Sequence, residues 1–141
     1  MILNRLFRAA RKLRSQVREV GKTHLRSSYW ANVREKFLED NPLCAACASH
    51  KSLQVHHIKP FHLHPELELD PTNLITLCMD VTECHLIVGH GDSFRCYNPN
   101  VREDAQRFKE ATDEDRKKLG EEFKANRLKD DAPVVSTSSL P

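Results

Sequence analysis

Apolar positions along the chain change their period several times, and each change marks an element. Trp30, Val33, Phe37 and Leu38 recur at helical spacing on one face of a helix that Ser27 or Ser28 can cap and Pro42 closes. That face reads as core. Residues 4–22 also look helical, but Leu6, Leu13, Val17 and Val20 give only a partial apolar stripe, which predicts a helix that orders against a partner or the core. Further on, "LQVHHI" (53–58) and "NLITLC" (73–78) have the length and flanking residues of strands and lie close enough to pair antiparallel. The segment between them, "KPFHLHPELELDPT", contains three prolines and reads as a loop, with Asp70, Pro71 and Thr72 forming a turn. Thr82 can cap a short helix carrying "ECHLIV", which Gly89 would end. Asn100 and Thr112 look like N-caps of two further helices, with Glu103 and Asp115 at the reciprocal capping position. Ala105 and Phe108, then Leu119 and Phe123, give those helices modest apolar faces. The tail, residues 130–141, has the composition of a disordered segment.

This pattern is α+β, and 141 residues leave room for about one compact domain with extensions. No apolar run approaches the roughly 20 residues that span a bilayer, so no membrane partner is expected. The cationic start lacks the separate apolar block of a secretory signal, which predicts a cytoplasmic protein; its Arg-rich, acid-poor character also resembles an organelle transit segment. The net charge of +2 hides an uneven distribution. Residues 1–40 carry ten Lys/Arg against four Asp/Glu, residues 41–100 three against six, and residues 101–141 nine against ten. A basic front beside a compact module is a footprint for a polyanion, or a solvated helix with a polar face.

The cysteines sharpen the picture. Cys44 and Cys47 have the knuckle spacing of "CAAC", which lets two thiolates face one tetrahedral ion, and Cys78 and Cys84 supply a second pair, with five residues between them where a second knuckle has two. A structural zinc held by Cys44, Cys47, Cys78 and Cys84 is the leading reading; buried thiols or disulfides are the alternatives. Size gives the reason. A loop-rich module of about sixty residues buries little apolar surface, and a structural zinc contributes roughly 10 to 16 kcal/mol in small zinc peptides. Cys96 is left as a free thiol.

His56 and His57 end the first strand, Asn73 opens the second, and His85 follows Cys84 on the short helix. Pairing the strands and packing that helix across them brings all four to one face. With "CAAC" before them, "VHHIKP", "PTNLITLC" and "ECHLIVGH" resemble, in that order, the HNH endonuclease family over about residues 27–98. The resemblance implies a small ββα-metal (His-Me finger) core with a four-cysteine structural zinc site, flanked by amino- and carboxy-terminal helices. It divides the chain into a basic helical arm (1–26), a nuclease domain (27–98), carboxy-terminal helices (99–129) and a tail (130–141).

By that resemblance His57 is the general base, His56 and His85 bind a catalytic divalent metal, and Asn73 orients the base or its loop. Because neighbouring strand residues point to opposite faces, the arrangement calls for a twist or bulge near the strand end. His90 falls about 140° round a continuous helix from His85, so it joins as a third ligand if Gly89 breaks the helix, as in colicin-type members. Three imidazoles favour Zn2+, Ni2+ or Mn2+, and two with water leave Mg2+ open. His62 and His64 read as exposed loop residues, and His24 and His50 as surface. The function implied is a metal-dependent DNA endonuclease that grips the phosphate backbone and nicks one strand, or makes a double-strand cut through a homodimer or two visits. The alternative is a non-catalytic zinc-stabilised DNA-binding module.

Overall fold

The computed structural model describes residues 25–130. The basic helix expected at 4–22, His24 and the tail from residue 131 onward lie outside the described residues.

At the centre is a hairpin of β1 (Leu53–His57) and β2 (Leu74–Cys78), antiparallel in unbroken register from Leu53↔Cys78 to His57↔Leu74. β2 carries no charge and is buried along its whole length, whereas β1 is buried fully only at His56. The pleat therefore sorts the residues of β1: Gln54 and His56 share one face, and His57 lies on the other. Helix α1 (Trp30–Asp40) packs against β1 on the His57 side. The segment between the strands carries two single turns of 3-10 helix, Pro65–Leu67 and Pro71–Asn73. The second starts at Asp70, whose carboxylate accepts the N–H and hydroxyl of Thr72, the turn expected there.

A five-residue turn, His85–Gly89, crosses the hairpin and is π-helical. Helices α2 (Val101–Glu110) and α3 (Asp113–Asn126) pack onto this turn from the side away from the hairpin. Between the turn and α2, β3 (Cys96–Tyr97) pairs antiparallel with β4 (Leu128–Lys129), which follows α3. Ile75, Leu77, Val88, Val101, Ala105, Phe108 and Phe123 make the shared core, with the two phenylalanine rings 6.3 Å apart. The carboxy-terminal helices thus complete the core that the hairpin begins.

Four sequence expectations change. The apolar face of α1 is half-buried and none of its residues reaches the core, because the helix meets only one strand of a two-stranded sheet. The Ser27 hydroxyl accepts from Tyr29 N–H in a turn ahead of α1, and the helix has no side-chain cap. Asn100 likewise makes no capping bond; Asn98 accepts the Asn100 N–H instead. Thr82 is drawn to sulfur and leaves Cys84 at the start of the π turn without a side-chain cap. Thr112 does cap α3 as expected, accepting from Asp115 N–H while its hydroxyl donates to the Asp115 carboxylate.

Asn98 locks the π turn to α2. It is buried, its amide donates to the Val88 carbonyl at 3.0 Å and the Asp104 carboxylate at 2.9 Å, and its backbone N–H donates to the Gly89 carbonyl. Asn98→Ala removes the side-chain donor to the Val88 carbonyl and to one oxygen of the Asp104 carboxylate, whose other oxygen keeps Arg107, and should cost about 2–3 kcal/mol. Urea unfolding of the zinc-loaded protein, at unchanged slope, checks this; a loss under half a kilocalorie would show that the network carries little.

Candidate metal centres and active site

Cys44 and Cys47 sit in the turn after α1, which is tied to β2 by the Ala45 N–H bond to the Thr76 carbonyl. Cys78 ends β2, and Cys84 immediately precedes the π turn. The four sulfurs lie within 4.8 Å of one another, and Cys47 and Cys78 are 3.5 Å apart. Sulfurs at about 2.3 Å from a tetrahedral zinc stand about 3.8 Å apart, so the spacing fits that ion. The wide gap between Cys78 and Cys84 is explained by a turn in which Glu83 N–H returns to the Asp80 carbonyl and Glu83 takes a φ of 43°. That turn carries the Thr82 hydroxyl to within 3.3 to 3.5 Å of the sulfurs of Cys47, Cys78 and Cys84. Hydrogen bonding from the Cys84 thiol, then from the backbone amides of Ala46, Cys47 and Cys78, pulls Cys44 down to about 5 against the opposing effect of burial, while Cys84 is pushed up. All five cysteines are free, and Cys96 is buried in β3.

The second cluster is made of imidazoles. His56 Nδ1 lies 3.1 Å from His85 Nε2, and His85 Nε2 lies 3.3 Å from His90 Nε2. His90 Nδ1 is 2.6 Å from the Cys96 carbonyl, which can only accept, so Nδ1 bears the proton and Nε2 a lone pair. His85 Nδ1 faces the Gln54 amide oxygen at 2.6 Å, with the same consequence. Two nitrogens that both carry lone pairs cannot hydrogen-bond each other. Their approach makes sense around a cation: nitrogens at about 2.0–2.1 Å from a tetrahedral ion stand about 3.3 Å apart. His56 makes the same point from inside the fold. It is 4% exposed, and its Nε2 has no hydrogen-bond partner among the described residues, a cost accepted to aim Nδ1 into the cluster. Burial first, then the neighbouring imidazoles, holds His56 well below the ordinary histidine range and His85 at about 4; burial also lowers His90, against the Cys96 carbonyl and Asp130. All three rings are thus neutral near pH 7, the form that ligates.

His90 reaches this cluster without a helix break. In a π helix the hydrogen-bonded repeat spans five residues, so positions five apart stack as positions four apart do in an α-helix. The expected role of Gly89 changes with it. A Cβ there would stand 3.1 Å from Leu77 Cδ1 and 3.2 Å from the His56 ring and would press on both, so glycine lets the turn and the ring approach closely. Gly91, with φ +56° and Phe123 O at 2.8 Å from where its Cβ would be, is the residue at which the chain turns away.

His57 stands apart from the cluster. The register of β1 has no bulge, so His56 and His57 point to opposite faces, and the four motif residues do not share one. The His57 ring lies 4.5 Å from the Trp30 ring, and its Nε2 donates to the Glu68 carbonyl at 2.9 Å, which leaves the lone pair on Nδ1. Burial, with help from Arg26, lowers its pKa, while the Glu68 carbonyl and carboxylate oppose. Glu68 is itself buried; its carboxylate accepts from Ser27 N–H and pairs with Arg26, which lies over Trp30 and Phe61. Among the described residues, the Asn73 side chain makes no hydrogen bond to His57. Its amide oxygen accepts from Lys59 N–H and its amide nitrogen donates to the carbonyls of Lys59 and Leu67, closing the base of the loop that presents Glu68. His62 and His64 are loop residues in contact with Asp130 and Glu66, and His50 is exposed.

Sequence reasoning missed Gln54, Thr82, Glu68 and the Cys96 carbonyl. Gln54 was within reach: it lies two residues before His56, on the same face of a strand. The others depend on turns and on a second sheet that sequence patterns do not specify.

Two outcomes follow. Stripping zinc with a strong chelator, or Cys78→Ser, should abolish cooperative thermal unfolding by circular dichroism, given the roughly 10–16 kcal/mol such an ion contributes. Gly89→Ala displaces the His56 ring and should weaken nickel uptake by the zinc-loaded protein about 10–100-fold in calorimetry, with zinc content unchanged. Unaltered nickel affinity would place the ion away from His56.

Among the described residues, no helix is long and apolar enough to cross a membrane. No curated protein and no solved structure matches the chain. Residues 44–91 match the family model described as HNH endonuclease, a span that runs from Cys44 through both clusters to the residue after His90. The likeness to HNH endonucleases therefore rests on the segment 44–91, about a third of the chain and the part that holds both clusters.

Proposed function

We propose that this protein is a metal-dependent DNA endonuclease, with residues 27–98 as its nuclease unit. The observation that carries the proposal is a three-imidazole cluster that includes His56, followed one residue along β1 by a fourth imidazole, on the opposite face, whose Nε2 is engaged by the Glu68 carbonyl. A phosphodiester is anionic and repels nucleophiles, so its hydrolysis requires charge neutralisation, a positioned base and help for the departing 3′ oxygen. A divalent cation bound by His56 Nδ1, His85 Nε2 and His90 Nε2 would withdraw charge from the scissile phosphate and the leaving oxygen. His57 supplies the base. With Nε2–H engaged by the Glu68 carbonyl, Nδ1 takes the proton from the attacking water as the new P–O bond forms and the bond to the 3′ oxygen breaks. Trp30 stacks on the ring and Asn73 ties down the loop that carries Glu68, so both act as positioning residues. The basic residues in 1–26 add contacts to flanking phosphates, which position without reading sequence. One such site nicks one strand; cutting both takes two protomers or two visits.

Plasmid incubated with magnesium, manganese or nickel, with a chelator control, tests the reading. His57→Ala should lower nicking by about 10²–10⁴-fold while zinc content and melting remain those of the parent. Nicking by that variant at the parental rate would remove His57 from the reaction, and a parent that shifts plasmid in a gel without nicking it would make the protein a binding module.

A further inference from the structure

Beside the imidazole cluster lies a cleft of about 760 Å³ whose lining includes His62, Phe94, Arg95, Arg127, Lys129 and Asp130. Phe94 joins the two. Its ring is 4.9 Å from that of His90 and 5.9 Å from that of His85, yet the residue is 55% exposed, so it forms the floor where cleft and cluster meet. Cations form much of the wall. β3 and β4 pair Cys96 with Lys129, and Asp130 N–H extends the ladder to the Arg95 carbonyl, which sets Arg95 and Lys129 on neighbouring strands. Both are exposed, and neither is in an ion pair among the described residues. Arg127 is held beside them by its hydrogen bond to the Gly91 carbonyl at the end of the π turn. Against these three cations the cleft offers one carboxylate, Asp130, which lies 3.9 Å from His62.

Resting on the proposed nuclease reading, we infer that this cleft is the track for the DNA backbone flanking the scissile bond, with Arg95 and Lys129 each contacting a phosphate. A cation-rich wall that ends at a metal-ligand cluster complements a polyanion whose cleaved phosphate lies at that cluster. The cleft is larger than a single phosphate group, so it suits an extended run of backbone. All three cations lie outside the segment 44–91. The carboxy-terminal part of the chain, through α3 and β4, thereby supplies substrate contacts that the nuclease motif lacks.

The test is the salt dependence of binding to a labelled DNA duplex, measured on full-length zinc-loaded His57→Ala protein so that the duplex stays intact. Replacing Arg95 and Lys129 by Gln removes two phosphate contacts. The slope of log affinity against log salt should become shallower by about 0.9 for each, close to 2 in all, and affinity should fall alike for unrelated sequences. Lys36→Gln with Lys118→Gln makes the same change in net charge at two other exposed sites and should leave the slope within a few tenths of the parent. An unchanged slope for the cleft variant, an equal loss in the control, or tighter binding to a matched RNA duplex would each overturn the assignment. Plasmid nicking with His57 intact separates the two readings. A shallower slope in a protein that never nicks sinks the nuclease and keeps the track, whereas parental nicking with a parental slope does the reverse.

Discussion

Three buried or half-buried nitrogens, each aiming a lone pair at the same point, form an arrangement that neutral imidazoles do not adopt for their own sake. No proton is left between His85 Nε2 and His90 Nε2 to bridge them, since the Gln54 oxygen and the Cys96 carbonyl hold both Nδ1 protons. Bringing them to 3.3 Å is repulsive until a cation stands among them. The rest of the fold is arranged around this demand. The helix that carries two of the rings is wound as π so that residues five apart coincide, glycine is placed where the third ring must pass, and that third ring leaves its other nitrogen unpaired in the interior. Each of these features lowers stability when taken alone, and π turns are found mostly at functional positions.

The thiol cluster absorbs that cost. Cys78 and Cys84 flank the turn that leads into His85, and the Cys44–Cys47 knuckle is bonded to β2. An ion held there fixes both the end of β2 and the first residue of the π turn, so the position of His85 relative to His56 is set from the far end of the hairpin. The Thr82 hydroxyl, close to three of the sulfurs, keeps the intervening turn in one conformation. In so small a core, an ion held by these thiols would add to what little buried apolar area can do to fix the imidazole cluster.

Most of the elements, and the residues that gather in the two clusters, could be read from the chain. The strand pair, the proline-rich loop, the Asp70 turn, the Thr112 cap and the side chains that gather in the two clusters follow from local chemistry, because a short apolar run with its flanking residues, a capping hydroxyl or a knuckle spacing is visible within a short window. What could not be read has a common physical cause. The π winding at His85–Gly89 depends on the His56 ring and on Asn98 receiving the widened turn's carbonyls, both distant in sequence. A five-residue spacing therefore looked like a mismatch until the helix type was known. The pairing of β3 with β4 spans some thirty residues and two residues per strand, too short for any periodic signal. The pleat argument, by contrast, was stronger than the expectation it was set against: adjacent residues did take opposite faces, and no bulge intervened.

That alternation gives His57 its distinct chemistry. Had both rings faced the cluster, His57 would stand beside the same cation as its neighbours, and its lone pair would be spent on ligation. On the opposite pleat it meets Trp30, Arg26 and the Glu68 carbonyl, which fix its tautomer with Nδ1 free and keep it neutral. One backbone step thus separates a ring in the imidazole cluster from the ring proposed as the base. The separation holds because β1 is regular up to its last residue, and it is regular because β2 pairs with it along its whole length while Asn73 closes the loop beyond. The paired histidines at the end of β1 are therefore two instruments, distinguished by the pleat alone.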